Sequence, residues 1–321
     1  MNEKIGDHAT KYFRIYIPSM VTSQVLFWLE TLDYQENPKV PNEEAITVLL
    51  SDIMKAPATL EQDDPPILIS KIRKRYLIAP STLPYNLEDG SNDPSQGQAA
   101  IIRKLLKEKG SASSKFTLVY FKLWFISVYT LVFKRNGFFI ECGALDGETR
   151  SNSLVFEKWY GWEGVLIEGD PKNFKLVLQK NRKAWSVPAC LSTLAYPNVV
   201  MFKQNFNLGK ISDVPVGNES HKEGLVEVQC LPIYSILLAL NRTTIDYFSL
   251  DVEGHELEVL QTIPWNKVNI ITLSVEFCHG KSGKNGLKSF MESKGYKVYT
   301  NYKQKSGLNN DLIFYHPLLL K

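Results

Sequence analysis

From residue 137 onward, short apolar runs alternate with longer amphipathic ones. Four runs have the length and composition of strands that are buried on both faces: FFIE (138–141), VLIE (165–168), YFSLDV (247–252) and IITLSVEF (270–277). This alternation predicts a mostly parallel sheet with helices on both faces. Two later runs, at 296–302 and 311–316, are close enough in the chain to pair as an antiparallel hairpin. The predicted fold class is therefore α/β, a doubly wound, Rossmann-like sheet with a C-terminal hairpin.

The chain before this sheet has a weaker pattern. The clearest element is a short helix, because Ser95 with Gln98 three residues later forms a capping-box pattern and Gly110 ends the apolar period. We divide the chain into four parts: a poorly specified N-terminal region (1–64), an N-terminal helical extension of the core (65–110), an apolar insertion (111–135) and the sheet domain (136–321).

The apolar insertion contains a run, residues 116–133, with Lys122 as its one charge. As a helix, 18 residues would extend about 27 Å, just enough to cross a bilayer. A helix ending at Phe133 would leave only four residues before the first strand of a sheet that is covered on both faces. We therefore favour a buried or surface-lying insertion, or a segment absent from the mature protein, over a membrane span.

Composition excludes several classes of protein. Hydrophobic residues make up 44% and charged residues 22%, which argues against wholesale disorder and against a rod. The net charge of +3 is too small for a surface that follows nucleic-acid phosphates, so no nucleic-acid partner is expected. The four cysteines include no C-x-x-C pair, and no metal site is predicted. Their even number permits disulfides without indicating them.

The segment FFIECGALDGE has the strongest chemical signal. Its strand ends in Glu141, and a loop with Gly143, Ala144 and Gly147 leads toward a helix-compatible run. Such a loop lets the backbone pass close to a ligand beside a helix N-terminus, although a tight strand-to-helix turn is the alternative. The middle glycine of a dinucleotide-binding loop is missing, which disfavours an oxidoreductase. The loop suits a ligand without a pyrophosphate, such as S-adenosylmethionine.

The second strand also ends in an acidic residue, Glu168. A carboxylate here, somewhat over 20 residues beyond the glycine loop, is placed to accept both hydrogens of a ribose diol. The alternative is a solvent-facing Glu at a strand end. Asp170 and Pro171 then predict the start of a helix, with Asp170 as its cap.

A third constellation, DYFSLDVEGHE, brings three polar side chains to the end of a strand. Asp251 and Glu253 would point the same way while the backbone stays extended. A carboxylate at this edge serves as a general base, as an acceptor for a ligand's amine, or as half of a metal site. A helix cap is the alternative. His255 begins no zinc-protease motif, because Val259 stands where the second His is needed.

Four segments carry a resemblance to a known family: FFIECGALDGETRSNSL, VLIEGDPKN, KNRKAWSVPACLS and DYFSLDVEGHELEVL. Together they resemble the FkbM-type methyltransferase family, and within it the animal proteins related to Star. The resemblance covers residues 64–110 and 136–316. It implies a class I, S-adenosylmethionine-dependent methyltransferase fold. In that fold Gly143 would lie at the methionine part of the cofactor and Cys190 near its adenine. His255 departs from the family pattern, in which a small residue is common.

The resemblance implies an O-methyltransferase, in a family whose members often act on sugar hydroxyls, with Asp251 beside the methyl-transfer site. Because Asp251 ends a strand at the crevice, it is the first choice of base, and Glu253 and His255 are reserves. The remaining cofactor residues are predicted to be Glu141, Ala144, Gly147, Glu168 and Asp170. The alternative is a Star-like, membrane-associated protein that assists export of growth-factor ligands of the epidermal growth factor receptor and keeps the fold without catalysis. Resemblance places such proteins in the endoplasmic reticulum, Golgi or endosome, with protein cargo as partner. A cytoplasmic location is the alternative.

Overall fold

The computed structural model describes residues 65–88, 93–110, 136–216, 224–303 and 310–318, all of which lie in one compact unit. The predictions for residues 1–64 and 111–135 fall outside these ranges, and the division of the chain into four parts stays a prediction. No helix within the described ranges is long and apolar enough to cross a membrane.

The described chain forms eleven strands and seven α-helices. The strands are β1 (Phe138–Cys142), β2 (Glu163–Glu168), β3 (Trp185–Pro188), β4 (Cys190–Leu191), β5 (Asn198–Lys203), β6 (Lys210–Ile211), β7 (Leu225–Leu231), β8 (Thr244–Leu250), β9 (Asn269–Glu276), β10 (Lys297–Lys303) and β11 (Asn310–Tyr315). The helices are α1 (Pro65–Arg75), α2 (Gln98–Gly110), α3 (Leu154–Tyr160), α4 (Pro171–Gln179), α5 (Ile233–Ala239), α6 (Glu256–Gln261) and α7 (Gly283–Ser293).

The main sheet has seven strands in the order β10-β11-β9-β8-β1-β2-β3. The five strands from β9 to β3 are parallel, and β11 and β10 continue the sheet as an antiparallel edge. The predicted α/β fold and its C-terminal hairpin are confirmed. The chain order reverses between β1 and β8, so a crevice is expected at the carboxyl ends of these two strands.

Helices cover both faces of this sheet, which is why neighbouring positions in its central strands are both apolar. Along β1, Ile140 packs into one buried cluster and Phe139 into the other. Neighbours in β8 divide in the same way, with Phe248 on the first face and Tyr247 on the second. Residues of α1, α5, α6 and α7 complete the first cluster, and residues of α2, α3 and α4 complete the second.

The predicted capping box before α2 forms only in part. The Ser95 hydroxyl accepts a hydrogen bond from the Ala99 amide at 3.0 Å, one residue beyond the Gln98 amide that a capping box would use. The Gln98 side chain instead donates to Asp311 at 2.9 Å. A buried carboxylate on the hairpin therefore takes the amide that would have completed the box.

A second, four-stranded sheet in the order β4-β7-β5-β6 stands beside the first. The chain enters it directly from β3, because Ala189 alone separates β3 from β4. Its small apolar cluster consists of buried Cys190, Phe202, Val228 and Cys230. The sequence pattern did not predict this sheet.

Candidate functional site

An open crevice of about 970 Å³, including the solvent at its mouth, lies at the carboxyl ends of β1, β2 and β8. It is the place where ligands bind in sheets of this topology. Eight of the ten residues predicted for the site line this crevice: Glu141, Gly143, Ala144, Glu168, Cys190, Asp251, Glu253 and His255. The other two, Gly147 and Asp170, do not line it.

The glycine loop is shaped by its contact with the end of β8. Gly143 has φ +75°, and a Cβ added there would come within 2.0 Å of the Asp251 carbonyl oxygen. Glycine is therefore required both by conformation and by space. The amides of Gly143 and Ala144 are not free for a ligand, because both donate to the Ile167 carbonyl, at 3.1 and 3.2 Å. The expected helix N-terminus is also absent from the loop, since α3 begins only at Leu154.

Glu141, at the end of β1, is buried and holds the chain that follows the glycine loop. Its carboxylate accepts hydrogen bonds from the Asn152 amide at 2.5 Å, from the Ser151 hydroxyl at 2.8 Å and from the Ser153 hydroxyl. These three contacts fix the segment that borders the crevice. Glu141 thus positions residues 151–153 at the border of the crevice.

A buried guanidinium supports the same segment from behind. Arg182 donates to Glu157 at 3.0 Å, and it also donates to the Gly147 carbonyl and to the hydroxyls of Ser151 and Ser153. Gly147 acts here through its backbone, at φ +84°, which explains why it matters without lining the crevice. Sequence analysis did not identify Arg182, because its partners lie more than 20 residues away in the chain.

Glu168 ends β2 inside the crevice, with both carboxylate oxygens near backbone amides. It accepts from Leu145 and from Asp170, each at 2.8 Å. Burial raises the pKa of Glu168 to about 8, although the amide hydrogen bonds act in the opposite direction. Each carboxylate oxygen can accept more than one hydrogen bond, so capacity for a ligand's hydroxyl groups remains.

Asp170 has the structural role that its sequence context predicted. Its carboxylate accepts from the Lys172 amide at 2.8 Å and caps α4, with Pro171 in the first turn. It also accepts from the Gln204 side chain at 2.7 Å. Because Asp170 is buried and outside the crevice lining, the structure does not bring it to the ligand space.

Asp251 lies just past the end of β8 and exposes its side chain at the crevice. The surrounding protein and the nearby carboxylates of Glu253 and Glu276 hold the pKa of Asp251 well above its usual value. The extended conformation on which a shared direction of Asp251 and Glu253 depended does not reach these residues. The strand stops at Leu250, and a left-handed turn follows, with φ +55° at Glu253 and +113° at Gly254.

The other two predicted catalytic side chains sit in different surroundings. Glu253 pairs with His279, whose Nδ1 lies 2.8 Å from a Glu253 carboxylate oxygen. His255 precedes α6 and makes no capping hydrogen bond with its side chain. Its Nδ1 is buried without a hydrogen-bond partner, and burial lowers the pKa of the imidazole, so it is neutral at pH 7.

Three carboxylates come together behind the turn. One oxygen each from Asp251, Glu256 and Glu276 lies within 4.8 Å of the others, close enough for a cation to contact all three. Glu256 also accepts from the amides of Val252 and Gly254, at 3.0 and 3.1 Å. Burial raises the pKa of Glu256 to about 7, so repulsion in this group is reduced by protonation.

Asn152 is a crevice residue that sequence analysis missed. Its Nδ2 donates to the Ser249 hydroxyl at 2.9 Å, which ties the loop after β1 to β8. Its Oδ1 is buried and has no hydrogen-bond partner. An unpaired acceptor in a ligand crevice is suited to a ligand amine. No feature of the sequence distinguishes this Asn from an ordinary turn residue.

Cys190 forms a disulfide with Cys230, which its number and spacing in the sequence did not indicate. The two residues are direct partners in the parallel pairing of β4 and β7. Cys142 is a buried free thiol and Cys278 is an exposed one.

Comparison with known proteins shows what this domain is similar to. Residues 141–298 match the family model described as methyltransferase FkbM domain. This stretch, just under half of the chain, is similar to that domain. The match includes both acidic strand ends and the turn after β8. Among the curated proteins, none is similar enough in sequence to count as a relative.

Solved structures of methyltransferases are also similar to this chain. The FkbM methyltransferase from Methylobacillus flagellatus is 17% identical, with 56% of this chain and 44% of that chain covered and a TM-score of 0.39. A methyltransferase from Pyrococcus furiosus is 14% identical, with 68% and 96% covered and a TM-score of 0.32. The chain thus spans less than half of the FkbM enzyme. Scores this low say nothing about substrate, and the resemblance to Star-related proteins stays a prediction.

S-adenosylmethionine is the cofactor of this domain, and the crevice residues suit it. Glu168 offers acceptors for a ribose diol, and the unpaired Asn152 Oδ1 offers one for the amino group. The carboxylates around Asp251 favour a ligand with positive charge. The predicted cofactor is confirmed, whereas the role of each site residue stays a prediction.

Proposed function

We propose that this domain methylates a hydroxyl oxygen of its acceptor, and that a sugar hydroxyl is the first acceptor to test. The observation that carries the proposal is the Asp251 carboxylate, which is exposed in the crevice and has a raised pKa. A methyltransferase domain with a proton acceptor at its crevice is suited to an acceptor that must lose a proton.

S-adenosylmethionine supplies a methyl group that its sulfonium already activates, so the protein's task is positioning and proton removal. Asp251 would accept the hydroxyl proton, and its raised pKa makes it a stronger base than an ordinary carboxylate. His255 is the reserve, since it is neutral and its Nδ1 has no partner. Glu253 is a weaker candidate because it is paired with His279.

Two side chains would hold the cofactor. Glu168 would accept hydrogen bonds from the ribose diol, and Asn152 would accept one from the amino group. Both are fixed before binding, Glu168 by two backbone amides and Asn152 by Ser249. Preorganisation of this kind reduces the entropy lost on binding.

The test compares Asp251→Asn with the wild type. Calorimetry with S-adenosylhomocysteine measures cofactor affinity, and release of labelled methyl groups to a panel of mono- and disaccharides measures transfer. We expect transfer to fall by about a hundredfold or more, while cofactor affinity changes by less than about threefold, because general-base removal acts on the chemical step. Glu292→Gln, an exposed carboxylate on α7, is the control for loss of charge.

Two results would contradict the proposal. Unchanged transfer by Asp251→Asn would remove this residue as the base. Absence of S-adenosylhomocysteine binding by the wild type at millimolar ligand would indicate a domain that keeps the fold without the reaction.

A further inference from the structure

The Cys190–Cys230 disulfide forms part of the crevice wall. Cys190 lines the crevice together with its neighbours Ala189 and Leu191, while Cys230 lies behind it, fully buried. The disulfide is therefore placed one layer from the ligand space. Its role is unexplained by the fold, because the main sheet is complete without it.

The disulfide joins a short piece of this wall to the strand beside it. β4 has two residues, and in the second sheet β7 is the strand that pairs with it. Among the described residues, the apolar cluster around the disulfide has two other buried members, Phe202 and Val228. Phe202 itself lines the crevice. Ala189 and Leu191 pack into the main core on either side of Cys190, so the disulfide is the link specific to the part of the wall that Cys190 and Phe202 form.

We propose that tight cofactor binding in this crevice requires the Cys190–Cys230 disulfide, so that cofactor affinity follows the thiol redox state. The inference rests on the cofactor site described above. When the disulfide is reduced, two small thiol molecules of the glutathione class supply it with two electrons and two protons. The products are the Cys190 and Cys230 thiols and one glutathione disulfide. Oxidation is the reverse exchange.

The coupling is reciprocal. If the disulfide strengthens cofactor binding by a given factor, the bound cofactor must favour the disulfide over the dithiol by the same factor. Cys190 is only 7% exposed, and the exposed part faces the crevice, where a bound ligand would also cover it. The cofactor should therefore protect the disulfide from reduction.

The experiment measures both sides of this linkage on the full chain. Calorimetry with S-adenosylhomocysteine is run on protein oxidised with glutathione disulfide and on protein reduced with dithiothreitol, and circular dichroism verifies that the reduced protein stays folded. We expect the dissociation constant to rise at least tenfold on reduction. Glutathione titrations, read out by thiol trapping and peptide mass spectrometry, give the equilibrium constant for reduction of the disulfide. Bound ligand should make this reduction less favourable by the same factor.

Two variants separate the disulfide from other thiols. Cys278→Ser removes an exposed free thiol and should keep the full redox dependence. The double variant Cys190→Ala, Cys230→Ala should bind weakly whether or not dithiothreitol is present.

Equal affinity of the oxidised and reduced wild type would overturn the inference alone. So would mass spectra that show both cysteines as free thiols after oxidation. Failure of the disulfide-bonded protein to bind S-adenosylhomocysteine would overturn the proposed function and, with it, this inference.

Discussion

Replacing Gly143 with Ala tests how closely the glycine loop must approach the end of β8. The added Cβ would lie 2.0 Å from the Asp251 carbonyl oxygen, whereas real Cβ contacts essentially never fall under 3.0 Å. The two backbone segments must therefore separate by at least 1.0 Å, the difference between these distances. No flexible side chain is available to yield, because the obstructing atom belongs to the backbone.

Two costs add at this position. A non-glycine residue at φ +75° costs about 1–2 kcal/mol. Forcing packed backbone apart costs about 1–3 kcal/mol more, by analogy with overpacked cores. Gly283→Ala is the matched control, because Gly283 has φ +59° but no atom within 4 Å of the added Cβ. We expect the control to lose about 1–2 kcal/mol and Gly143→Ala about 2–5 kcal/mol.

Urea unfolding of both variants gives the two free energies, and calorimetry with S-adenosylhomocysteine shows whether the crevice is affected. The affinity of Gly143→Ala should fall because its loop moves away from Asp251, while Gly283→Ala should bind as the wild type does. Equal destabilisation of the two variants would refute the reasoning. It would mean that both variants lose only the free energy of a non-glycine residue at positive φ, with no further loss from close backbone contact at Gly143.

Two further predictions concern buried charges. Glu256, with its pKa raised from 4.5 to about 7, binds more protons in the folded than in the unfolded state between these values. The free energy of unfolding should therefore fall as pH rises through this window, and Glu256→Gln should reduce the fall by up to about 3 kcal/mol in urea titrations at pH 5 and 8. Arg182→Met leaves the buried Glu157 without its ion-pair partner and should lower the free energy of unfolding by about 3–5 kcal/mol. Arg242→Met breaks an exposed pair with Glu163 and should lower it by less than about 1 kcal/mol in the same urea titration.

The main sheet was predictable because its local signals agree with its burial. Strands such as β1 and β8 send alternate side chains into two separate cores, so apolar residues stand next to each other in the sequence, as Phe139 and Ile140 do in β1. The acidic residues that end these runs mark the carboxyl edge of the sheet. That edge, and hence the crevice, follows from the strand directions alone.

The second sheet was not predictable for the opposite reason. β4 and β6 have two residues each, too few to show any period. β7 pairs with strands on both sides, but three of its seven positions are only half-buried, which weakens the apolar signal. The pairing that places Cys190 opposite Cys230 joins residues 40 positions apart. Spacing of cysteines cannot specify a contact that depends on a non-local sheet.

The site was predicted by position better than by orientation. Asp251 and Glu253 both lie at the crevice, but the extended backbone that would have aligned them ends at Leu250. A Glu in the left-handed region is uncommon. The turn is held by the Glu256 carboxylate, which accepts from two of its amides, and by a distant residue, since Glu253 pairs with His279.

The acidic strand ends carry less functional information than their sequence positions suggest. The presence of Glu141 and Glu168 at their strand ends does not by itself indicate a working cofactor site. Both carboxylates bind backbone amides that hold the crevice loops, so the fold alone would favour keeping them. Asp251 is different, because no hydrogen bond to its carboxylate is found among the described residues and its raised pKa shows that ionisation there is unfavourable. Asp251 is therefore the residue whose replacement best tests whether this domain is an enzyme or an inactive fold.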